Sequence, residues 1–313
     1  MAVNRRGFLG AAGSALAAGV SSAQPKELPV LRAGIIGVGG RGTGHVRELL
    51  RLERVELKAV CDIVPSKAEN VQNLAQKAGK PRPAAYTQGE RDYQRLCARG
   101  DLDIVYIATP WEWHARMAVE AMKNGKHAAI EVPAATTIEE CWELVETAES
   151  TGRHCVQLEN CCYDRSELMI LNMVRKGLFG ELVHGECGYM HDLRSLKFAA
   201  SGEGLWRRAH AMKRNGNLYP THGLGPIAQC MNINRGDRMD YLVSMSSPAL
   251  GRALYAKEHF PPTHIRNRER YICGDINSSL VKTVKGRTIL IQWDTTTPRP
   301  YTRLNLIQGT KGV

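Results

Sequence analysis

Residues 34–42 read Gly34-Ile35-Ile36-Gly37-Val38-Gly39-Gly40-Arg41-Gly42, and Asp62 follows 20 residues after the last of these glycines. Gly37, Gly39 and Gly42 fill a G-x-G-x-x-G pattern. In such a pattern the first glycine permits a tight turn, the second lets backbone come close to a pyrophosphate, and the third lets a helix pack closely on a strand. Unpaired N–H groups at the start of that helix face the phosphates. An acid at this distance accepts hydrogen bonds from a ribose diol and repels a 2′-phosphate. The chemistry implied is dinucleotide binding, with NAD favoured over NADP. Gly37, Gly39, Gly40, Arg41, Gly42 and Asp62 are the expected cofactor contacts.

That chemistry needs a strand, a turn, a helix and a second strand in order. The apolar run at 30–36 is the first strand, 43–51 the helix, and 55–61 the second strand, ended by Asp62. The alternation continues with helices at 66–78, 113–124 and 137–150 and strands at 103–108, 127–130 and 154–158. Alternating short apolar runs and helical segments predict a doubly wound parallel sheet, an α/β Rossmann domain over residues 24–160. Ligand groups then gather at the strands' C-terminal ends, where Asp62, residues 109–114, Glu131 and residues 159–163 fall. From residue 161 the pattern changes. A helix is expected at 164–176, a strand at 182–190, a polar Gly/Arg-rich loop at 195–218 and a helix at 224–233. Strands are expected at 241–246, 278–285, 288–293 and 304–308, with a hairpin turn at 284–287. The second domain, 161–313, is therefore expected to be α+β with a mostly antiparallel sheet.

At 313 residues the chain has room for about two domains. Its 43% hydrophobic content suits a globular core. The formal net charge is +11, but Lys and Arg are scattered and form no basic run interleaved with aromatics, so nucleic acid is not an expected partner. Asn4-Arg5-Arg6-Gly7-Phe8-Leu9, an Ala/Gly-rich stretch and Ser21-Ser22-Ala23 read as a twin-arginine export signal over residues 1–23. The expected product is periplasmic or secreted. The apolar stretch is too short and weak for a membrane span. Nine cysteines, an odd number, include no C-x-x-C and no Cys/His cluster of zinc spacing, so core thiols are expected and no metal.

Further motifs carry a family resemblance. Ala108-Thr109-Pro110 after one strand and Glu131-Val132-Pro133 after the next resemble the glucose–fructose oxidoreductase / inositol dehydrogenase family. Four more segments are similar to glycoside hydrolase family 109: residues 109–114 (Thr-Pro-Trp-Glu-Trp-His), 158–163 (Leu-Glu-Asn-Cys-Cys-Tyr), 180–185 (Gly-Glu-Leu-Val-His-Gly) and 219–226 (Tyr-Pro-Thr-His-Gly-Leu-Gly-Pro). That resemblance implies an NAD-dependent α-N-acetylgalactosaminidase. It also implies roughly another hundred residues after Val313, so the second domain is expected to be incomplete. The oxidoreductases normally read Glu-Lys-Pro where this chain has Glu131-Val132-Pro133. Val132 can neither orient a substrate nor move its proton, which agrees with the glycosidase branch.

The chemistry implied is redox-assisted elimination: oxidation at C3 of the sugar, deprotonation at C2, elimination at C1, addition of water and re-reduction. The resemblance makes His222 the base at the C3 hydroxyl, since a neutral imidazole takes a proton near neutral pH. Tyr163 and Tyr219 are candidates for C2 proton transfer and for binding substrate hydroxyls. A phenol titrates near ~10, so either would need a lowered pKa to act as a base. Glu131 is a candidate for a substrate hydroxyl as well as for the cofactor, and Tyr301 is a substrate-side tyrosine. Thr109, Trp111, Trp113 and His114 shape the cofactor pocket, while Trp206, Arg207 and His210 cover the sugar from the 195–218 loop. The expected partner is a small-molecule or glycan substrate, with a homo-oligomer left open. Two alternatives stand beside the glycosidase: an exported NAD-dependent sugar dehydrogenase with net hydride transfer, and a non-catalytic sugar or dinucleotide binder.

Overall fold

The computed structural model describes residues 29–313. The export signal expected at 1–23 lies outside the described residues. The first half is a six-stranded parallel sheet built from β1 (Leu31–Ile36), β2 (Val55–Cys61), β3 (Ala84–Tyr86), β4 (Ile104–Ile107), β5 (His127–Ile130) and β6 (Cys155–Gln157), in the order β3-β2-β1-β4-β5-β6. The strand order reverses between β1 and β4, which leaves a crevice beyond their C-terminal ends. Ala33, Ile35 and Ile36 on β1 are almost wholly buried because helices cover both faces of the sheet. Each of the two isoleucines contributes roughly 1.5–3 kcal/mol on burial.

The helix after β1 spans Gly40–Arg51, three residues earlier than expected, because the Thr43 N–H already bonds to the Gly39 carbonyl at 3.0 Å. Gly42 packs against the turn, and a Cβ there would lie 1.9 Å from the Gly37 oxygen. The helix Ile138–Thr151 starts in a capping box: Glu140 N donates to Thr137 Oγ1 at 3.2 Å while the Glu140 carboxylate accepts from Thr137 N at 3.3 Å. Two elements were missed, the three-residue β3 and the helix Tyr93–Cys97.

The second sheet has five strands: β7 (Leu182–Met190), β8 (Met239–Ser246), β9 (Ile276–Thr283), β10 (Thr288–Asp294) and β11 (Leu306–Gly309), in the order β11-β7-β10-β9-β8. Its pairings are antiparallel except between β7 and β10, which run parallel. Helices Arg165–Arg175 and Thr221–Cys230 cover one face over a core of Leu171, Cys187, Ile227, Met231, Ile289 and Ile291. On β8 and β9, Tyr241, Leu242, Val243, Met245 and Leu280 are exposed.

The loop expected at 195–218 is a correction. It contains helices Arg194–Phe198 and Arg207–Lys213 and a 3-10 turn, Gly202–Leu205. Their anchors are buried ions and rings rather than an apolar stripe: Arg208 makes a two-pronged contact with Glu269 at 2.7 and 2.9 Å, and its guanidinium lies over the Phe198 ring. The helix expected at 224–233 begins earlier, at Thr221, and ends at Cys230. A further helix, Gly251–His259, was not expected. Among the described residues no helix is long and apolar enough to cross a membrane.

Candidate functional site

A cavity of about 660 Å³ opens at the C-terminal ends of β1 and β4. Gly37 turns there at φ +82°, and a Cβ at this position would meet the Ala108 carbonyl oxygen at 2.7 Å. Gly39 and Gly40 face open space, so their backbone is accessible to a ligand. The buried Asp62 carboxylate accepts from the N–H groups of Val38 and Val64, each at 2.9 Å, and ties the glycine turn to the end of β2. Gly37, Gly39, Gly40, Arg41, Asp62, Thr109, Trp111, His114 and Glu131 all line this cavity. Gly42 lies beneath the turn and acts through packing. The side-chain-free turn, the helix start and the acid at the end of β2 fit the pyrophosphate and ribose of NAD.

Glu131, at the end of β5, is an anion held by cations. Its Oε1 accepts from Arg41 Nε at 2.8 Å and lies 2.6 Å from His45 Nε2. Burial opposes the charge, but the bonds from His45 and Arg41 outweigh it and pull the carboxyl down to about 2. Arg41 also reaches Asn160 Oδ1 at 3.2 Å. The His114 ring nitrogens are both engaged, at 2.7 Å from the Pro133 and Thr109 carbonyl oxygens. Burial lowers the His114 pKa while those carbonyls favour the charged ring. The side chain links the segments after β4 and β5, and its nitrogens are not offered to the cavity. Trp113 lines the cavity and packs edge-on against Tyr93.

The opposite wall is aromatic. Trp111 stacks on Tyr219 with centroids 5.6 Å apart, and the Arg207 guanidinium lies 4.8 Å from the Tyr219 ring and 5.1 Å from Trp111. Trp206 meets Trp111 edge-on at 5.3 Å. His210 packs on Trp111 at 4.8 Å from behind. Burial pushes the Tyr219 phenol far above its ordinary value. Of its two expected roles, binding a substrate hydroxyl as a donor suits a phenol held in this way better than proton abstraction does.

Two residues of this wall were missed in the sequence. Tyr189, at the end of β7, lies 5.0 Å from the Tyr219 ring and 5.4 Å from the His222 ring, and its hydroxyl is 2.8 Å from His191 Nδ1. Both line the cavity. Burial raises the Tyr189 phenol to about 12, and burial together with nearby Arg207 lowers the His191 pKa. The signal available was their i, i+2 spacing at a strand's C-terminal end, which turns both side chains to one face. Tyr301 reaches this cluster from outside, 5.0 Å from His191, and is half exposed. Tyr163 does not join it. It is 68% exposed and absent from the cavity wall, because it ends the 3-10 turn Asn160–Tyr163, whose buried side is taken by Cys161 and Cys162.

His222 stands in the first turn of the helix Thr221–Cys230. Two glycines of that helix set its position. A Cβ on Gly223 would lie 2.5 Å from Gly188 N on β7, and one on Gly225 would lie 2.7 Å from Cys162 Sγ. His222 Nδ1 is 2.7 Å from Oε1 of Glu159, a buried acid just after β6 that also accepts from Cys161 N at 3.0 Å. Burial opposes the charge on Glu159, but His222 outweighs it and holds the carboxyl below its ordinary range. An Nδ1–H donated to a carboxylate leaves Nε2 of the neutral ring with its lone pair free. Glu159 was not singled out in the sequence. Its only mark was its place after a strand in the Leu158–Tyr163 motif.

Residues 31–159 match the oxidoreductase family, NAD-binding Rossmann fold, and residues 163–313 match the glycosyl hydrolase 109 C-terminal domain. A glycosyl hydrolase family 109 protein of Shewanella baltica is 55% identical, with the alignment covering 99% of this chain and 73% of that protein. A protein of Shewanella oneidensis named alpha-N-acetylgalactosaminidase is 54% identical over the same shares. The fold is similar to scyllo-inositol dehydrogenase from Lactobacillus casei, solved with NAD(H) and scyllo-inositol, at TM-score 0.67 and 17% identity over 90% of this chain and 75% of that one. It is also similar to an NAD binding oxidoreductase from Klebsiella pneumoniae, at TM-score 0.70 and 21% identity over 90% and 70%. With its glycine turn, its Asp62 and both halves matched, the chain is an NAD-binding, sugar-processing enzyme and belongs to glycosyl hydrolase family 109.

Proposed function

We propose that the chain is an exported glycosidase that releases terminal α-N-acetylgalactosamine by redox-assisted elimination, with Nε2 of His222 as the base at the C3 hydroxyl. The observation that carries this reading is the His222–Glu159 hydrogen bond through Nδ1, made by a histidine that lines the same cavity as the glycine turn; with Nδ1 as the donor, Nε2 is the nitrogen left to accept a proton. NAD, when bound, supplies the oxidant for C3 at the start of the cycle and the reductant at its end. The residues do the rest. His222 removes the hydroxyl proton and returns it later. His191, kept neutral by burial, and Tyr189, bonded to it, form the proton path at C2. Trp111 and Tyr219, stacked on each other, give the sugar side of the cavity an aromatic wall and a hydroxyl donor. Loss of the C2 proton beside a ketone expels the group at C1, and water then adds.

Glu131 supports this route over direct displacement. Two-carboxylate hydrolysis needs one carboxyl that stays protonated, and Glu131 is held ionised by Arg41 and His45. Buried Val132, where family dehydrogenases carry lysine, supports it over net hydride transfer. The substrate assignment draws on the name of the Shewanella oneidensis relative. Export by the twin-arginine route, to the periplasm or beyond, draws on Arg5-Arg6 and the Ala/Gly-rich stretch.

The test is cleavage of nitrophenyl α-N-acetylgalactosaminide in heavy water. The released sugar is expected to carry deuterium at C2, with no accumulation of NADH. A product without deuterium at C2 overturns the mechanism. Stoichiometric NADH with an intact glycoside would make the enzyme a dehydrogenase.

A further inference from the structure

Sequence spacing offered no metal cluster, but the fold brings Glu159, Cys161 and His222 together, with one carboxylate oxygen, the Cys161 sulfur and one imidazole nitrogen all within 4.8 Å of one another. Glu159 and Cys161 are buried, and His222 has only 14% of its side chain exposed. The second Glu159 oxygen, Oε2, is buried outside hydrogen-bond geometry with any partner, and the Thr221 hydroxyl, which favours the ionised carboxylate from nearby, is likewise unpaired. A buried carboxylate oxygen that lacks a partner is costly, and a cation is one way to satisfy it.

We propose that Glu159, Cys161 and His222 form an inhibitory site for a borderline-soft divalent cation such as Zn²⁺. Carboxylate, thiolate and imidazole are the ligand types that zinc takes, at about 2.0–2.3 Å, leaving a fourth position for water. The cation replaces the proton that Nδ1 and Glu159 share. A coordinating thiol gives up its proton to the solvent on binding. Arg303 interacts with this thiol and favours its thiolate form, and its charge is also shared with Asp164 at 2.7 Å and Glu167 at 2.5 Å.

The consequence for catalysis follows from tautomers. With Nδ1 bound to the metal, the neutral ring carries its proton on Nε2, which then donates instead of accepting. This consequence rests on Nε2 being the catalytic base, whereas the metal site itself does not. Zinc is therefore expected to stop turnover while leaving NAD bound, since the glycine turn and Asp62 are untouched.

The experiment titrates the purified chain with Co²⁺, then with Zn²⁺, and reads absorption, NAD retention and glycosidase activity. Wild type is expected to show a thiolate-to-cobalt charge-transfer band that Zn²⁺ displaces, with loss of activity in step. Cys161→Ser is expected to lose the band, keep NAD and metal-free activity, and need ~100-fold more zinc for the same inhibition. His222→Ala, read by the cobalt spectrum alone, gives a second test at another ligand and is also expected to lose the band. No band in wild type, or a band that survives both substitutions, overturns the site. A band that depends on Cys161 and His222 with activity unaffected by zinc keeps the site and overturns the tautomer consequence, and with it the assignment of His222.

Discussion

On one side of the cavity Gly37, Gly39 and Gly40 present main chain, and Asp62 holds that main chain through Val38 and Val64. On the other side Trp111, Tyr189, Tyr219 and His222 present side chains, drawn from three separate segments that meet only in the folded chain. The glycine turn and its acid are local: residues 37–64 supply them and need little beyond two strands, a turn and a helix. The substrate side is assembled at long range, through glycines that let one helix touch β7 and the turn after β6. The first kind of site fails through backbone sterics and the second through loss of single groups. Substitutions on the two sides should therefore fail differently.

The largest effect is expected at Gly42. An alanine Cβ there would sit 1.9 Å from the Gly37 carbonyl oxygen, so helix and turn must separate. Gly42→Ala is expected to abolish NAD retention through gel filtration and, with it, all activity. Normal NAD binding by this variant would contradict the packing account of the cofactor side.

This asymmetry also explains what was legible in the sequence. Five of the six strands in the first sheet follow from apolar runs between turn signals, whereas β3 is only Ala84-Ala85-Tyr86 and carries no such run. The helices at 194–213 were hidden because Arg207 and Arg208 anchor them through rings and ion pairs, which a search for apolar periodicity does not detect. His222 and Tyr219 were found through the family resemblance of their motif, not through their chemistry. Tyr189 and His191 escaped because an alternating strand reads as core until its C-terminal end is placed beside another site. Glu159 escaped because the sequence does not show which histidine an acid will meet 63 residues away.

The second effect in size belongs to the substrate side. His222→Ala is expected to lower kcat by roughly 10²–10⁴, the usual range for a positioned acid–base group, with NAD affinity unchanged. A matching loss of NAD affinity would make His222 a structural residue and remove the contrast between the two sides. A smaller effect is expected at Asp62. Asp62→Ala leaves the Val38 and Val64 N–H groups without their acceptor. It is expected to weaken NAD by ~10–100-fold, as for loss of charge-assisted bonds, and to narrow the preference over NADP measured by competition. Wild type that binds NADP more tightly than NAD would overturn the role given to this acid.

The smallest effect separates two tyrosines. Tyr163 belongs to the motif that carried the family resemblance, yet it is 68% exposed and outside the cavity wall. Tyr189 belongs to none of the motifs that carried the resemblance, yet it lies in the ring cluster with His222, Tyr219 and Tyr301 and bonds to His191 at 2.8 Å. Both can be changed to phenylalanine with only the hydroxyl lost. Tyr189→Phe removes the partner of His191 and interrupts the proton path at C2, so the rate of deuterium uptake there should fall together with turnover. Tyr163→Phe should leave turnover within about twofold, as expected for a surface substitution away from special features. If Tyr163→Phe instead lost C2 exchange while Tyr189→Phe kept it, the segment at 160–163 would have to close over the sugar during turnover. The aromatic wall would then be only part of the substrate side.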